Sequence, residues 1–324
     1  MSSFFLFLLG GFQIERAGAA ITAFESNKVR ALLTYLAVER RAHTRSALAA
    51  LLWPDHPEEM ARTNLRHVLR QLRQSLPDPD PSTPLLLTTH QTIELNRGLD
   101  FTVDAGRFTQ LLAACAGHQH PTLTACAECM ERYRQAAELY RGDFLAGLSF
   151  YGSEPFEEWA VVQREFLHRQ ALELFFLLAA YYEEQGKHDQ AQQYAHRQLA
   201  LEPWREEAHR QLMRLLAYSG QRSAALAQFA QCRKILADEL SVEPHAETVA
   251  LYEQIRDGKL DKMTGRQDDK MTVSSRHPVI LSSPHLVTLS PVQDWGRRQP
   301  PPISTVGRRK ANSSSAGLAV SVVN

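Results

Sequence analysis

A chain of 324 residues with 36 basic and 36 acidic side chains has no formal net charge. That excludes a uniformly cationic nucleic-acid binder, so such a role needs local segregation of charge. Apolar residues at 44% and charged residues at 22% suit a globular chain, and the length predicts about two domains. Four cysteines over this length form no disulfide framework, which points to the cytoplasm.

The N-terminal FFLFLLGGF has no preceding basic residue, is too short for a bilayer and lacks a small-residue cleavage site. It reads as a strand. Gly10-Gly11 breaks the apolar run, residues 12–15 alternate, and residues 20–22 resume extended character after a turn, which predicts a small antiparallel sheet. Ser26 or Asn27 caps a helix with Val29, Leu32, Leu33, Leu36 and Ala37 at helical spacing. Thr44 caps a second helix with Leu48, Leu51 and Leu52 inward, ended by Trp53-Pro54.

Residues 58–76, EEMARTNLRHVLRQLRQSL, form the stretch around which the chain is organised. On a helical wheel Ala61, Leu65, Val68, Leu69 and Leu72 share one face. Thr63, His67, Arg70 and Gln74 oppose it, flanked by Arg66 and Gln71. The two acidic residues, Glu58 and Glu59, sit in the first turn, where they suit the macrodipole. The remaining exposed face carries donors for phosphate oxygens and base edges. Arg62 and Arg73, on the flanks, are expected to pair with nearby carboxylates. After the Pro-rich PDPDPSTP, residues 85–89 and 92–95 form a hairpin around His90-Gln91.

Strands, three helices and a hairpin are the layout of a winged helix-turn-helix. Thr63, His67 and Arg70 are then base-edge candidates, with Arg66 and Gln74 at the margin. Thr44, Arg45, Thr88, Thr89 and His90 are candidates for backbone phosphate contacts. The segments LLGGFQI, KVRALLTYLA, TRSALAALLWPD, ARTNLRHVLRQLRQSL and the hairpin ending in IEL also resemble the DNA-binding half of SARP-type transcriptional regulators, an OmpR-like winged helix.

Residues 100–104 lead into a helix with Ala105, Phe108, Leu111 and Leu112 inward. From there to about Leu260 the pattern is helical, broken at Gly142, Gly147, Gly186, Pro203, Gly220 and Pro244. Leu178 and Leu212, Gly186 and Gly220, and Ala191 and Ala225 are each 34 residues apart, the tetratricopeptide period. Tyr182 and Pro203 also fit that consensus, and Phe229 matches its aromatic position where Ala195 departs from it. An all-helical solenoid is expected, with a surface for proteins or peptides. The segments VDAGRF, LYRGDFLAGL, PWREEAHRQLM, SGQRSAALAQFAQCRKIL and ELSVEPHAETVALYEQI resemble the bacterial transcriptional activator domain that follows the winged helix in SARP-type regulators. The resemblance implies DNA binding and activation through contact with RNA polymerase.

Cys115, His118, His120, Cys126 and Cys129 fall within fifteen residues. Cys-x-x-Cys suits two thiolates on one soft metal, and a histidine can complete a tetrahedral structural zinc site; the bland alternative is small buried cysteines beside solvated histidines. A redox Cys-x-x-Cys lacks a surrounding βαβ pattern. Cys232 is expected in the core. After residue 260 apolar periodicity vanishes and Ser, Pro and Arg accumulate, with Arg297, Arg298, Arg308, Arg309 and Lys310 locally basic, so residues 262–324 are expected to be disordered.

The fold expected is mainly α: a winged helix-turn-helix over 1–98, a tetratricopeptide-like helical domain over 99–260 and a tail over 261–324. No G-x-x-x-x-G-K-[ST], H-E-x-x-H, G-x-S-x-G or Rossmann fingerprint occurs, so no enzyme is expected. The leading function is a sequence-specific regulator of transcription that binds double-stranded DNA, with RNA polymerase as partner, no membrane, and homodimerisation left open. The alternatives are a repeat adaptor without DNA binding and a zinc or redox sensor. A donor-rich outer helix face favours DNA over the adaptor, since protein-contact helices more often expose aromatic or aliphatic side chains.

Overall fold

The structure, a computed structural model, describes residues 3–24, 26–78, 82–116, 118 and 126–260. The sequence-predicted tail and His120 lie outside these residues.

The chain begins with β1 (Phe4–Phe7), β2 (Gln13–Arg16) and β3 (Ala19–Ala20), the antiparallel sheet expected from the pattern. A fourth strand, β7 (Phe101–Val103), pairs parallel to β1, with Phe4 opposite Phe101. The sequence pattern passed over β7, because three residues have too little periodicity to declare a strand.

Helix α1 (Asn27–Glu39) is N-capped by Ser26, whose hydroxyl accepts from the Val29 N–H. Helix α2 (Arg45–Leu52) is capped by Thr44 in the same way, through the Ala47 N–H. Helix α3 (Glu58–Ser75) buries Ala61, Leu65, Val68, Leu69 and Leu72, the five residues placed on its core face by the wheel. A second sheet follows, in the order β4 (His43–Thr44), β6 (Thr92–Leu95), β5 (Leu86–Thr88). The expected hairpin is therefore the outer part of a three-stranded wing whose inner edge precedes α2.

The remainder is helical: α4 (Asp104–Ala116), α5 (Ala127–Leu139), α6 (Glu154–Glu184), α7 (His188–Leu201), α8 (Glu206–Tyr218), α9 (Arg222–Ile235), a π-helical turn Leu236–Leu240, and α10 (Ala246–Arg256). Gly186 and Gly220 close the α6–α7 and α8–α9 turns at φ +67 and +73, a conformation that costs glycine nothing sterically. Ala191 and Ala225 are fully buried one turn later, so the paired helices approach closely. Leu178 and Leu212 are buried at matching positions. Ala195, where the repeat consensus has an aromatic, is fully buried too, and Tyr182 stacks on Tyr194 beside it at 5.8 Å between ring centres. Cys232 is buried, as expected.

One apolar core runs from the first sheet through α1–α3 into α4–α8, and a smaller one lies among α8–α10. The first is tied across by polar contacts absent from any local pattern. Asp104, buried at the start of α4, accepts from the backbone N–H groups of Leu8 (2.8 Å), Leu9 (3.0 Å) and Ala105 (2.7 Å). Burial pushes its carboxyl up to about 6, opposed by those three hydrogen bonds and by Arg141, 3.7 Å away. Trp159 of α6 donates its indole N–H to Glu39 at 3.0 Å and meets the Tyr35 ring edge-on. Lys28 of α1 donates to the carbonyls of Leu52 and Gly152 and to the Ser153 hydroxyl, joining α1, the end of α2 and the start of α6. These ties fix α1 and α2, against which α3 packs, on the helical half.

Candidate nucleic-acid interface and a cysteine–histidine cluster

Helix α3 presents Thr63, Arg66, His67, Arg70 and Gln74 to solvent, on the side away from its buried leucines. Arg66, His67, Arg70 and Gln74 engage no other side chain or carbonyl among the described residues. Thr63 donates its hydroxyl proton to the Glu59 carbonyl at 2.9 Å, which leaves its oxygen as an acceptor toward solvent. Arg62 pairs with Glu58 at 2.6 Å, one turn earlier, as its flank position predicted. Arg73 does otherwise. Among the described residues it reaches no carboxylate, and it donates to the Thr88 hydroxyl on β5 at 3.2 Å.

Arg73 therefore connects the last turn of α3 to the wing. Arg45 makes the second connection: its Nε and Nη2 both donate to the Thr89 carbonyl, at 3.1 and 3.0 Å. Much of the guanidinium foreseen as a phosphate contact is thus engaged within the protein. Thr89 closes the hairpin through its side-chain oxygen, which accepts from the N–H groups of Gln91 (3.1 Å) and Thr92 (2.8 Å). Thr44, Thr88, Thr89 and His90 are exposed, with His90 at the turn. The wing and the end of α3 form one surface in which four donor side chains of α3 are unengaged among the described residues and the arginines beside them serve as struts. Sequence reasoning missed Arg73 as a strut, because its partner lies fifteen residues away on another element. The only local hint was that no acid stands three or four residues from it.

The second cluster lies at the facing ends of α4 and α5. Cys115 is buried in the last turn of α4, Cys126 is the N-cap residue of α5, and Cys129 is buried in the first turn of α5. His118 Nδ1 lies 3.1 Å from Cys129 Sγ and 3.5 Å from Cys126 Sγ. The donor atoms of His118, Cys126 and Cys129 all fall within 4.8 Å of one another, a spacing that could hold a metal ion. Cys115 stands behind them, its Sγ 3.6 Å from the Cys129 carbonyl oxygen. Burial, then the neighbouring Cys126 and Cys115 thiols, push the Cys129 thiol up to about 12, and burial raises Cys115. All four cysteines are free thiols. The structure thus places the cysteines on helix ends rather than in the connecting loop.

Residues 103–256 match the family model of the bacterial transcriptional activator domain. Regulatory protein AfsR of Streptomyces coelicolor is 30% identical over 250 residues, 76% of this chain and 24% of that protein. Transcriptional regulatory protein MoaR1 of Mycobacterium tuberculosis is 25% identical over 273 residues, 80% of this chain and 81% of that protein. The chain thus carries a match to the activator domain and resembles SARP-type regulators along most of its length. It spans about a quarter of AfsR but most of MoaR1. Among solved structures, EmbR of Mycobacterium tuberculosis, in complex with a low affinity phosphopeptide, shares the fold with a TM-score of 0.56 at 21% identity, over 85% of this chain and 74% of that one. The chain is thus mainly helical, with an N-terminal mixed region ahead of the segment that matches the activator domain. No helix among its described residues is long and apolar enough to cross a membrane.

Proposed function

We propose that this chain is a SARP-type regulator, a cytoplasmic, sequence-specific DNA-binding activator of transcription. Residues 1–98 bind DNA, with α3 in the major groove and the wing along the backbone, and residues 99–260 contact RNA polymerase and a second copy of the chain. The observation that carries the reading is the surface of α3. Arg66, His67, Arg70 and Gln74 are exposed and, among the described residues, unengaged, on a helix braced at its end by Arg73 and flanked by an exposed wing. A helix of this diameter fits the major groove, and Arg, Gln and His there pair with base edges or phosphates. Thr63 adds an acceptor. Thr44, Thr88, Thr89 and His90 follow the phosphates, and Arg45 orients the wing as well as facing the backbone.

The test is footprinting with the purified chain on DNA upstream of its own coding sequence, followed by selection from random duplexes. A discrete protected site with a recoverable consensus is the expected result. Uniform, strongly salt-sensitive binding to every duplex would leave only nonspecific attraction and refute the reading of α3.

The cysteine–histidine cluster supports a second reading. Two cysteine sulfurs and an imidazole whose donor atoms lie within 4.8 Å of one another suit zinc, which would sit there as a structural ion joining α4 to α5. Metal analysis of protein purified without chelator tests it, with about one zinc per chain expected.

A further inference from the structure

Zinc in a closed structural site takes four protein ligands, and the three donors that lie together supply three. The sequence offers two fourth ligands, Cys115 and His120. We infer that the fourth ligand is Cys115, giving a Cys3His site built from Cys115, His118, Cys126 and Cys129; the inference rests on the zinc reading above.

Three observations carry it. Cys115 is 2% exposed at the last turn of α4, and its side chain already points at the first turn of α5, with Sγ 3.6 Å from the Cys129 carbonyl oxygen. Among the described residues that weak hydrogen bond is the thiol's one contact with a backbone oxygen, and its side-chain partners are Cys129 and Arg132. Next, Cys126 and Cys129 stand at the start of α5 with their sulfurs 3.5 and 3.1 Å from His118 Nδ1, so Cys115 faces these donors from the end of α4. Finally, a divalent cation with three thiolates carries one net negative charge. Arg132, one turn along α5 from Cys129, faces the Cys115 and Cys129 sulfurs while pairing with Glu128, so a guanidinium stands where that charge falls. A Cys2His2 site would be neutral and would give this arginine no role at the sulfurs.

The balance is simple. Three S–H protons leave to solvent as three Zn–S bonds form, His118 ligates through its neutral ring, and no electron moves. The class of ion is a soft or borderline divalent cation, with zinc the natural occupant and cobalt its spectroscopic stand-in. The ion closes a staple between α4 and α5, the helices that carry Asp104 at one end of their hairpin and the cluster at the other.

The reduced full-length chain is titrated with cobalt and its thiolate-to-metal charge-transfer band measured. The expected result is one cobalt per chain with a band of three thiolates. Cys115→Ser should lower the band by about a third, while His120→Ala and Cys232→Ser leave it unchanged. A band kept by Cys115→Ser and altered in His120→Ala would overturn this inference and leave the zinc reading standing. Failure of the parent to take up cobalt or zinc would remove the zinc reading itself. Because Cys115→Ser sits in the core and can fail to fold, X-ray absorption of the zinc-loaded parent gives a second measurement. Three sulfurs and one nitrogen around zinc are expected, and two of each would refute the assignment.

Discussion

Leu69 and Arg70 are neighbours in sequence and opposed in space, so substituting each by alanine separates folding from binding. Leu69 is 3% exposed within the main core, packed where α3 meets α1 and α2. Truncation of such a leucine costs about 2–5 kcal/mol, the spread reflecting how far the site collapses. For a cooperative unit of this size that lowers the melting temperature by about 4–20 °C. Arg70 is exposed and holds no partner among the described residues, so Arg70→Ala should change stability by less than about 0.5 kcal/mol. On DNA the order reverses. Loss of a bidentate base contact costs about 1–3 kcal/mol, roughly 5- to 150-fold in affinity, and relaxes preference at one base position. If Arg70 holds a phosphate instead, every sequence weakens alike and the salt slope falls by about one. Leu69→Ala should bind with parental affinity at temperatures where it remains folded. The assay is a melting curve and an affinity series at two salt concentrations for each variant, with Thr63→Ala and His67→Ala alongside. Parental DNA affinity in all three surface variants would refute α3 as the reading element. Loss of stability in Arg70→Ala comparable to Leu69→Ala would refute the wheel.

The other expectations concern the struts, the buried acid and the metal. Arg73→Ala should leave the melting temperature within about 2 °C of parent, since it removes one exposed hydrogen bond to Thr88, yet weaken DNA binding by releasing the wing; the same affinity for Arg73→Ala and parent would show that the wing needs no brace. Asp104 has a folded pKa of about 6 against an ordinary 3.8, so it contributes stability that is fully present below about pH 4 and lost as pH rises through 6, up to about 3 kcal/mol. Urea unfolding of parent and Asp104→Asn at pH 4.5 and 7 should show that the variant lacks this part of the pH dependence, and superposable pH profiles would contradict it. His43 has the opposite sign: burial, then Arg41, hold its pKa at about 4, so its contribution is present above about pH 6.5 and lost as pH falls through 4; His43→Phe should flatten that acid limb in the same experiment. Double replacement of Cys126 and Cys129 by serine should abolish zinc binding and lower thermal stability, whereas an unchanged melting curve in a metal-free preparation would exclude a structural ion.

The sequence by itself determined what depends on neighbours a few residues apart. The five core residues of α3, the caps Ser26 and Thr44, and the paired Gly186 and Gly220 with their 34-residue spacing all follow from helical period and local hydrogen bonding. The exposed face of α3 followed with them, because whatever a helix does not bury it presents. Only the tertiary structure decided the rest. Strand β7 exists because β1, nearly a hundred residues earlier, offers it an edge, and β4 joins the wing in the same way. Asp104 reads as an ordinary first-turn acid until the fold brings the Leu8 and Leu9 N–H groups to it. Arg73 and Arg45 look alike on a wheel to arginines that face solvent, and they became struts because Thr88 and the Thr89 carbonyl stand opposite them. In the cysteine–histidine stretch, spacing nominated five residues, and the ends of α4 and α5 brought three donor atoms within ligand range with Cys115 beside them. Such long-range contacts leave no period in the sequence, since their geometry is set by how the core closes and not by the residues next to them in the chain.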